Sequence, residues 1–157
     1  MPRALLTLTL LLAGLLAACD DDGSDRVTSR DPVPPGNPAA GREIFRFDTF
    51  GNERFWTDTL RLHEVIQSSV DPLTALAIGL KVDADALPPG ILDEVDLEDP
   101  ATTVALLELD AVVGLQAQVA NGTIQRIGIT CALCHSDVDD SVQEGIGRRI
   151  DGYPNRD

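Results

Sequence analysis

"GITCALCHSD", residues 128–137, places two cysteines three positions apart and a histidine directly after the second. Immediately upstream, "AVVGLQAQVA-NG-TIQRIGIT", residues 111–130, reads as two β-like runs around Asn121-Gly122. Asn-Gly is the strongest short hairpin signal, because a type I′ turn needs positive φ at both central residues. The second strand of this hairpin runs straight into Cys131. Downstream, residues 136–157 carry Gly145, Gly147, Gly152 and Pro154 and read as loop with a short helical piece at most.

Further upstream the pattern is helical. Residues 41–70 hold all four phenylalanines (Phe45, Phe47, Phe50 and Phe55) and Trp56. Trp56, Leu60, His63, Ile66 and Val70 recur at spacings of three and four, an apolar helical stripe with His63 inside it. Gly51-Asn52 separates this stripe from the preceding segment, and Asp71-Pro72 ends it. "PLTALAIGL" gives a second short helix ending near Gly79. A long acidic connection follows over residues 81–99, and Asp99-Pro100 supplies an N-cap and a first-turn proline for a helix over 101–110. The expected fold is mainly α with one β-hairpin leading into the cysteine motif.

The N-terminus addresses location. Arg3 precedes an apolar run from Ala4 to Leu16 that is too short to cross a ~30 Å hydrocarbon core and reads as a signal-peptide h-region. "LAAC", Leu16 to Cys19, resembles the bacterial lipobox, in which the cysteine is lipidated and becomes the first residue of the mature chain. Residues 20–40 are acidic and rich in Pro, Gly and Ser, with too little apolar content to fold. The expected organisation is a lipoprotein signal peptide over 1–18, a tether over 19–40 and a folded domain over 41–157. The protein is expected to be exported to the periplasm or cell envelope and anchored to a membrane through Cys19. A net charge of −14 argues against nucleic acid and against electrostatic docking on anionic lipid.

Four chemistries compete for "CALCH". C-x-x-C-H is the attachment pattern of c-type haem, with Cys131 and Cys134 forming thioethers and His135 serving as proximal iron ligand. That chemistry operates outside the cytoplasmic membrane, where the export signal sends this chain. A thioredoxin-like dithiol would want a parallel βαβ context, which the pattern lacks. A zinc site would have to draw on the only two histidines, His63 and His135, beside an awkward vicinal Cys134-His135 pair. A disulfide across two residues closes only with strain.

On residues Cys131 to His135 the chain resembles a c-type cytochrome. "GREIFRFDTFG", "CALCHSDVDDS" and "GIGRRIDGYPNRD" are similar to exported bacterial cytochrome-c-like proteins of unassigned role, whose chains continue well beyond this end. The resemblance implies a cytochrome-c-like haem domain, incomplete at its C-terminus, with covalent haem c, one-electron transfer and redox protein partners. The only methionine is Met1, so a Met ligand of the usual kind is missing from the mature chain. His63 is then a candidate distal ligand. An iron with an open sixth position would instead suit a peroxidase-like or gas-binding haem protein. Arg148 and Arg149, with Tyr153 nearby, are candidates to meet haem propionates, against the alternative of solvated charges. Trp56 and the phenylalanines would wall the haem or simply fill a core.

Overall fold

Residues 35–155 are described in the computed structural model of the chain. The expected signal peptide, the lipobox cysteine Cys19 and most of the expected tether lie outside the described residues. Helix α1 (Pro38–Phe47) begins three residues inside the stretch read as tether. Asn37 caps it by accepting from the Ala40 N–H at 3.2 Å, and Pro38 occupies the first turn.

The stripe from Trp56 to Val70 does not form one helix. Residues Arg54–Thr59 make a π-helical turn, Arg61 adopts the left-handed conformation (φ 53°), and α2 spans Leu62–Ser69. The Leu60 N–H reaches back five residues to the Phe55 carbonyl at 3.0 Å, which inserts an extra residue per turn and rotates the register. Leu60 therefore points to solvent while Ile66 stays buried. The buried residue of the π turn is Thr57, which lies off the stripe.

Next come α3 (Pro72–Ala77), β1 (Val82–Asp83), a 3₁₀ turn at Ala84–Ala86, α4 (Ile91–Glu94) and α5 (Pro100–Glu108). Asp99-Pro100 caps α5 as expected, and Asp71-Pro72, read only as the end of the stripe before it, caps α3 in the same way. Asp71 accepts from the Thr74 N–H at 2.8 Å and Asp99 from the Ala101 N–H at 2.9 Å. Strands β2 (Leu115–Ala120) and β3 (Thr123–Ile129) pair antiparallel across Asn121 (φ 53°) and Gly122 (φ 70°). Gln125 is an extra residue in β3, because Gln118 faces Arg126 while Val119 faces Ile124.

Beyond the hairpin, the expectation of a mainly α, cytochrome-c-like domain is overturned. A single helical turn, α6 (Ala132–His135), is followed by three more strands: β4 (Ser136–Val138), β5 (Ile146–Gly147) and β6 (Arg149–Asp151). The described residues contain three two-stranded sheets: the hairpin, an antiparallel β4–β6 pair and a parallel β1–β5 pair. Side chains read as solvated acids build the tail. Asp139 accepts from the N–H groups of Ser141 (3.1 Å) and Arg148 (2.7 Å), and Asp140 accepts from Gly145 (2.8 Å). These bonds fold residues 139–148 back, so β5 can reach β1 and β6 can reach β4.

The main core joins Ile66 of α2, Val104, Leu106 and Leu107 of α5, Ile124 and Ile127 of β3, and Val82 and Ile146 of the parallel pair. A smaller cluster of Val113, Ala132 and Val138, with Phe45 packed on it, lies under α6.

β3 has β2 on one side only. Along its other edge, side chains take the place of a third strand. The Asn52 amide donates to the Ile129 carbonyl at 2.7 Å and accepts from the Ile129 N–H at 2.9 Å. The Thr57 hydroxyl does the same for Ile127 at 3.2 and 3.0 Å, and the Gln67 amide oxygen accepts from the Ile124 N–H. Thr57→Val keeps the shape but strands the N–H and C=O of Ile127. It should cost about 1–3 kcal/mol in urea unfolding with the slope unchanged. A loss below about 0.5 kcal/mol would mean that water serves this edge equally well.

Candidate functional site

Cys131, Cys134 and His135 occupy positions i, i+3 and i+4 of one helical turn, so they share a face. All three are exposed, and both thiols are free. Ala132, on the opposite side, is completely buried against Val113, Val138 and Phe45. The motif turn is thus fastened by its one small apolar residue, and its three reactive side chains face outward.

The backbone of the turn is held on every side. Thr130 starts it, its Oγ1 accepting from the Ala132 N–H at 3.3 Å and its carbonyl from the Leu133 N–H at 3.3 Å. The carbonyls of the three functional residues are each satisfied. Cys131 accepts from the His135 N–H (3.2 Å), Cys134 from the Asn155 N–H (3.2 Å) and His135 from the Gly152 N–H (2.8 Å). Gly114, at the mouth of β2, lies directly against the turn, and a Cβ there would fall 2.2 Å from the Leu133 Cα. Its φ of +83° excludes most side chains as well.

A charged cluster sits behind the motif. Ser136, fully buried and next to His135, donates from Oγ to Asp151 at 3.0 Å. Asp151 also receives the Arg149 Nε at 2.8 Å and the Arg46 guanidinium at 2.6–2.7 Å. Burial pushes the Asp151 carboxyl up. Hydrogen bonds from Arg46 and Ser136 and the charges of Arg149 and Arg46 outweigh that and hold it below the usual carboxylate range. Burial lowers the Arg149 guanidinium, whose side chain is only 3% exposed, and the Asp151 charge opposes that shift.

Of the two arginines considered for propionates, Arg149 is therefore committed to this cluster. Arg148 is exposed and stands 3.8 Å from Asp85, and Tyr153 is exposed. Trp56 packs on the main core with Phe55 edge-on to it (centroids 5.0 Å apart), and Phe45 is the phenylalanine beneath the motif.

His63 lies in the first turn of α2. Gln67, one turn further along α2, is bonded to Ile124. The motif follows Ile129, five residues or about 17 Å along the same strand. The His63 Nδ1 is buried without a hydrogen-bond partner, and its Nε2 lies 3.9 Å from Glu64.

Among the described residues, no group of three or more His, Cys, Asp or Glu side chains is gathered to hold a metal ion. The turn follows an antiparallel strand, so the parallel context of a thioredoxin-like dithiol is absent from it. Two outward thiols and an outward imidazole on one helical face suit a group held by two thioethers and one axial nitrogen. Beside Cys134 a concavity of about 290 Å³ opens between Leu133 and the Ile78–Leu80 turn.

The residues that hold the motif, Gly114, Asp151, Arg46 and Asn155, were not singled out as site residues from the sequence. The one signal for any of them was the glycine interrupting the apolar run from Ala111 to Leu115.

Asp151 contributes stability that is complete above the unfolded carboxyl pKa of about 3.9 and is lost as pH falls through its lower folded value. Asp151→Ala leaves Arg149 without its nearest counter-ion. It should cost about 3 kcal/mol at pH 7 in thermal or urea unfolding. The gap to wild type should close as the pH is taken down through the folded value, and a gap independent of pH would show that the charge is not the source. Gly114→Ala should lose more than about 2 kcal/mol by the same measurements, since it combines left-handed strain with a backbone clash.

The chain matches no family model, no curated protein and no solved structure.

Proposed function

We propose that this chain is an exported c-type haem protein, lipid-anchored through Cys19, that passes single electrons between redox protein partners. The observation that carries the reading is the shared exposed face of Cys131, Cys134 and His135 on a turn fastened from behind by Ala132. Each cysteine would add its S–H across one vinyl group of the porphyrin, the sulfur bonding to one vinyl carbon and the hydrogen going to the other, with no net gain or loss of electrons. His135 would supply the proximal nitrogen. The haem, when bound, supplies reversible one-electron exchange between Fe(II) and Fe(III). The protein's part is to hold the three donors in register. The carbonyl bonds to Gly152 and Asn155 keep the turn from unwinding. The Ser136–Asp151 bond fixes the strand that begins directly after His135.

A second reading, a haem protein that binds peroxide or a small gas at an exchangeable sixth position, is favoured by one observation. The sequence holds no methionine after Met1, so the described residues offer no thioether for the sixth position.

The test is expression with a haem-c maturation system, followed by denaturing haem staining, intact mass and a reduced-minus-oxidised spectrum. The expected result is one covalent haem per chain, lost in Cys131→Ala/Cys134→Ala. Absence of covalent haem from the wild type would overturn the reading and bring the dithiol forward. His63→Ala should leave the spectrum unchanged. If it converts a low-spin spectrum to high-spin, His63 is the distal ligand and the exchangeable-position reading fails.

A further inference from the structure

We propose that the concavity beside Cys134 is the seat of the porphyrin's apolar surface, and that Ile78 is the residue it covers. This inference rests on the haem-c reading above.

The concavity is lined by Ile78, Gly79, Leu80, Leu133, Cys134 and Asn155, so one of the two attaching thiols forms part of its rim. A macrocycle bonded to that sulfur would find aliphatic walls here in Ile78, Leu80 and Leu133. Ile78 is 67% exposed at the end of α3. Nothing in the cysteine motif itself requires an isoleucine there.

Several polar backbone groups of the wall are paired. Asn155 donates its backbone N–H to the Cys134 carbonyl (3.2 Å) and its side-chain amide to the Gly79 carbonyl (2.9 Å). The Gly79 and Leu80 N–H groups donate to Leu76 (2.9 Å) and Ala75 (3.0 Å). Covering this wall therefore removes apolar surface from water without stranding these donors and acceptors, which is the condition for favourable burial. Three other concavities are walled by residues outside the motif, and Val142 marks one of them. A group seated on the wall would feel a charge placed at Ile78, because burial lowers the local dielectric and the polarity around a haem sets its potential.

The experiment compares wild type, Ile78→Asp, Ile78→Lys and the control Val142→Asp, all matured with haem and all altered at exposed positions. Covalent haem is counted by its pyridine adduct, and midpoint potentials are measured at low ionic strength. The expected result is unchanged covalent haem in all four. The potential should shift negative for Ile78→Asp, because a carboxylate favours Fe(III), and positive for Ile78→Lys, with Val142→Asp at the wild-type value. Equal potentials in all four, or shifts of the same sign for Asp and Lys, overturn the seat while leaving the cytochrome reading intact. Absence of covalent haem from the wild type overturns both.

Discussion

The open edge of β3 is the constraint around which the described domain is arranged. A two-stranded ribbon has an unpaired row of N–H and C=O groups on each side, and burying such a row unpaired costs more than the apolar contacts beside it return. Here Asn52, Thr57 and Gln67 serve the groups of Ile129, Ile127 and Ile124. The bulge at Gln125 shifts the phase of the strand, so that 124, 127 and 129 all turn their backbone to the same side. With the edge closed, Ile124 and Ile127 pack fully into the core, and the strand delivers Cys131 at a defined place. The π turn that interrupts the helical stripe belongs to the same arrangement, since it presents Thr57 to the strand.

Features set by neighbours in the chain were legible in the sequence, and features set by distant partners were not. Asn121-Gly122 announced the hairpin because both residues accept positive φ, and Asp99-Pro100 announced a helix start because cap and proline act within one turn. The spacing of Cys131, Cys134 and His135 on one helical turn is set by chain neighbours in the same way. The tail was misread. Strands of two or three residues carry no usable alternation, and Ile146 and Arg149 gain their meaning only from Val82 and Asp151. Asp139 and Asp140 look like solvated acids until their backbone donors are in place. The stripe from Trp56 to Val70 was read as one helix because periodicity counts apolar positions and gives no weight to a threonine whose hydroxyl replaces a strand.

The distribution of charge divides along a similar line. The chain carries 26 acidic against 12 basic residues, which limits the surfaces the protein can dock on. Behind the motif the balance is reversed. Two guanidinium groups converge on the single carboxylate of Asp151, with Asp83 adding its charge to the environment of Arg149. A buried pair of this kind adds little net stability over an apolar substitute. It does impose direction, because a planar guanidinium bonds a carboxylate only in certain orientations. Here the orientation is passed through Ser136 to the residue beside it, His135.

The Arg46–Asp151 contact joins positions 105 residues apart. Closing so long a loop carries a large entropy cost, which contacts between near neighbours such as the hairpin escape. On this ground the scaffold under the motif is expected to form after the hairpin. Until then Cys131, Cys134 and His135 follow the formed hairpin on a segment not yet tied down at Gly152 and Asn155. The same three residues thus present two different surfaces: an extended peptide before the scaffold closes, and afterwards a turn whose carbonyls at Cys131, Cys134 and His135 are each bonded.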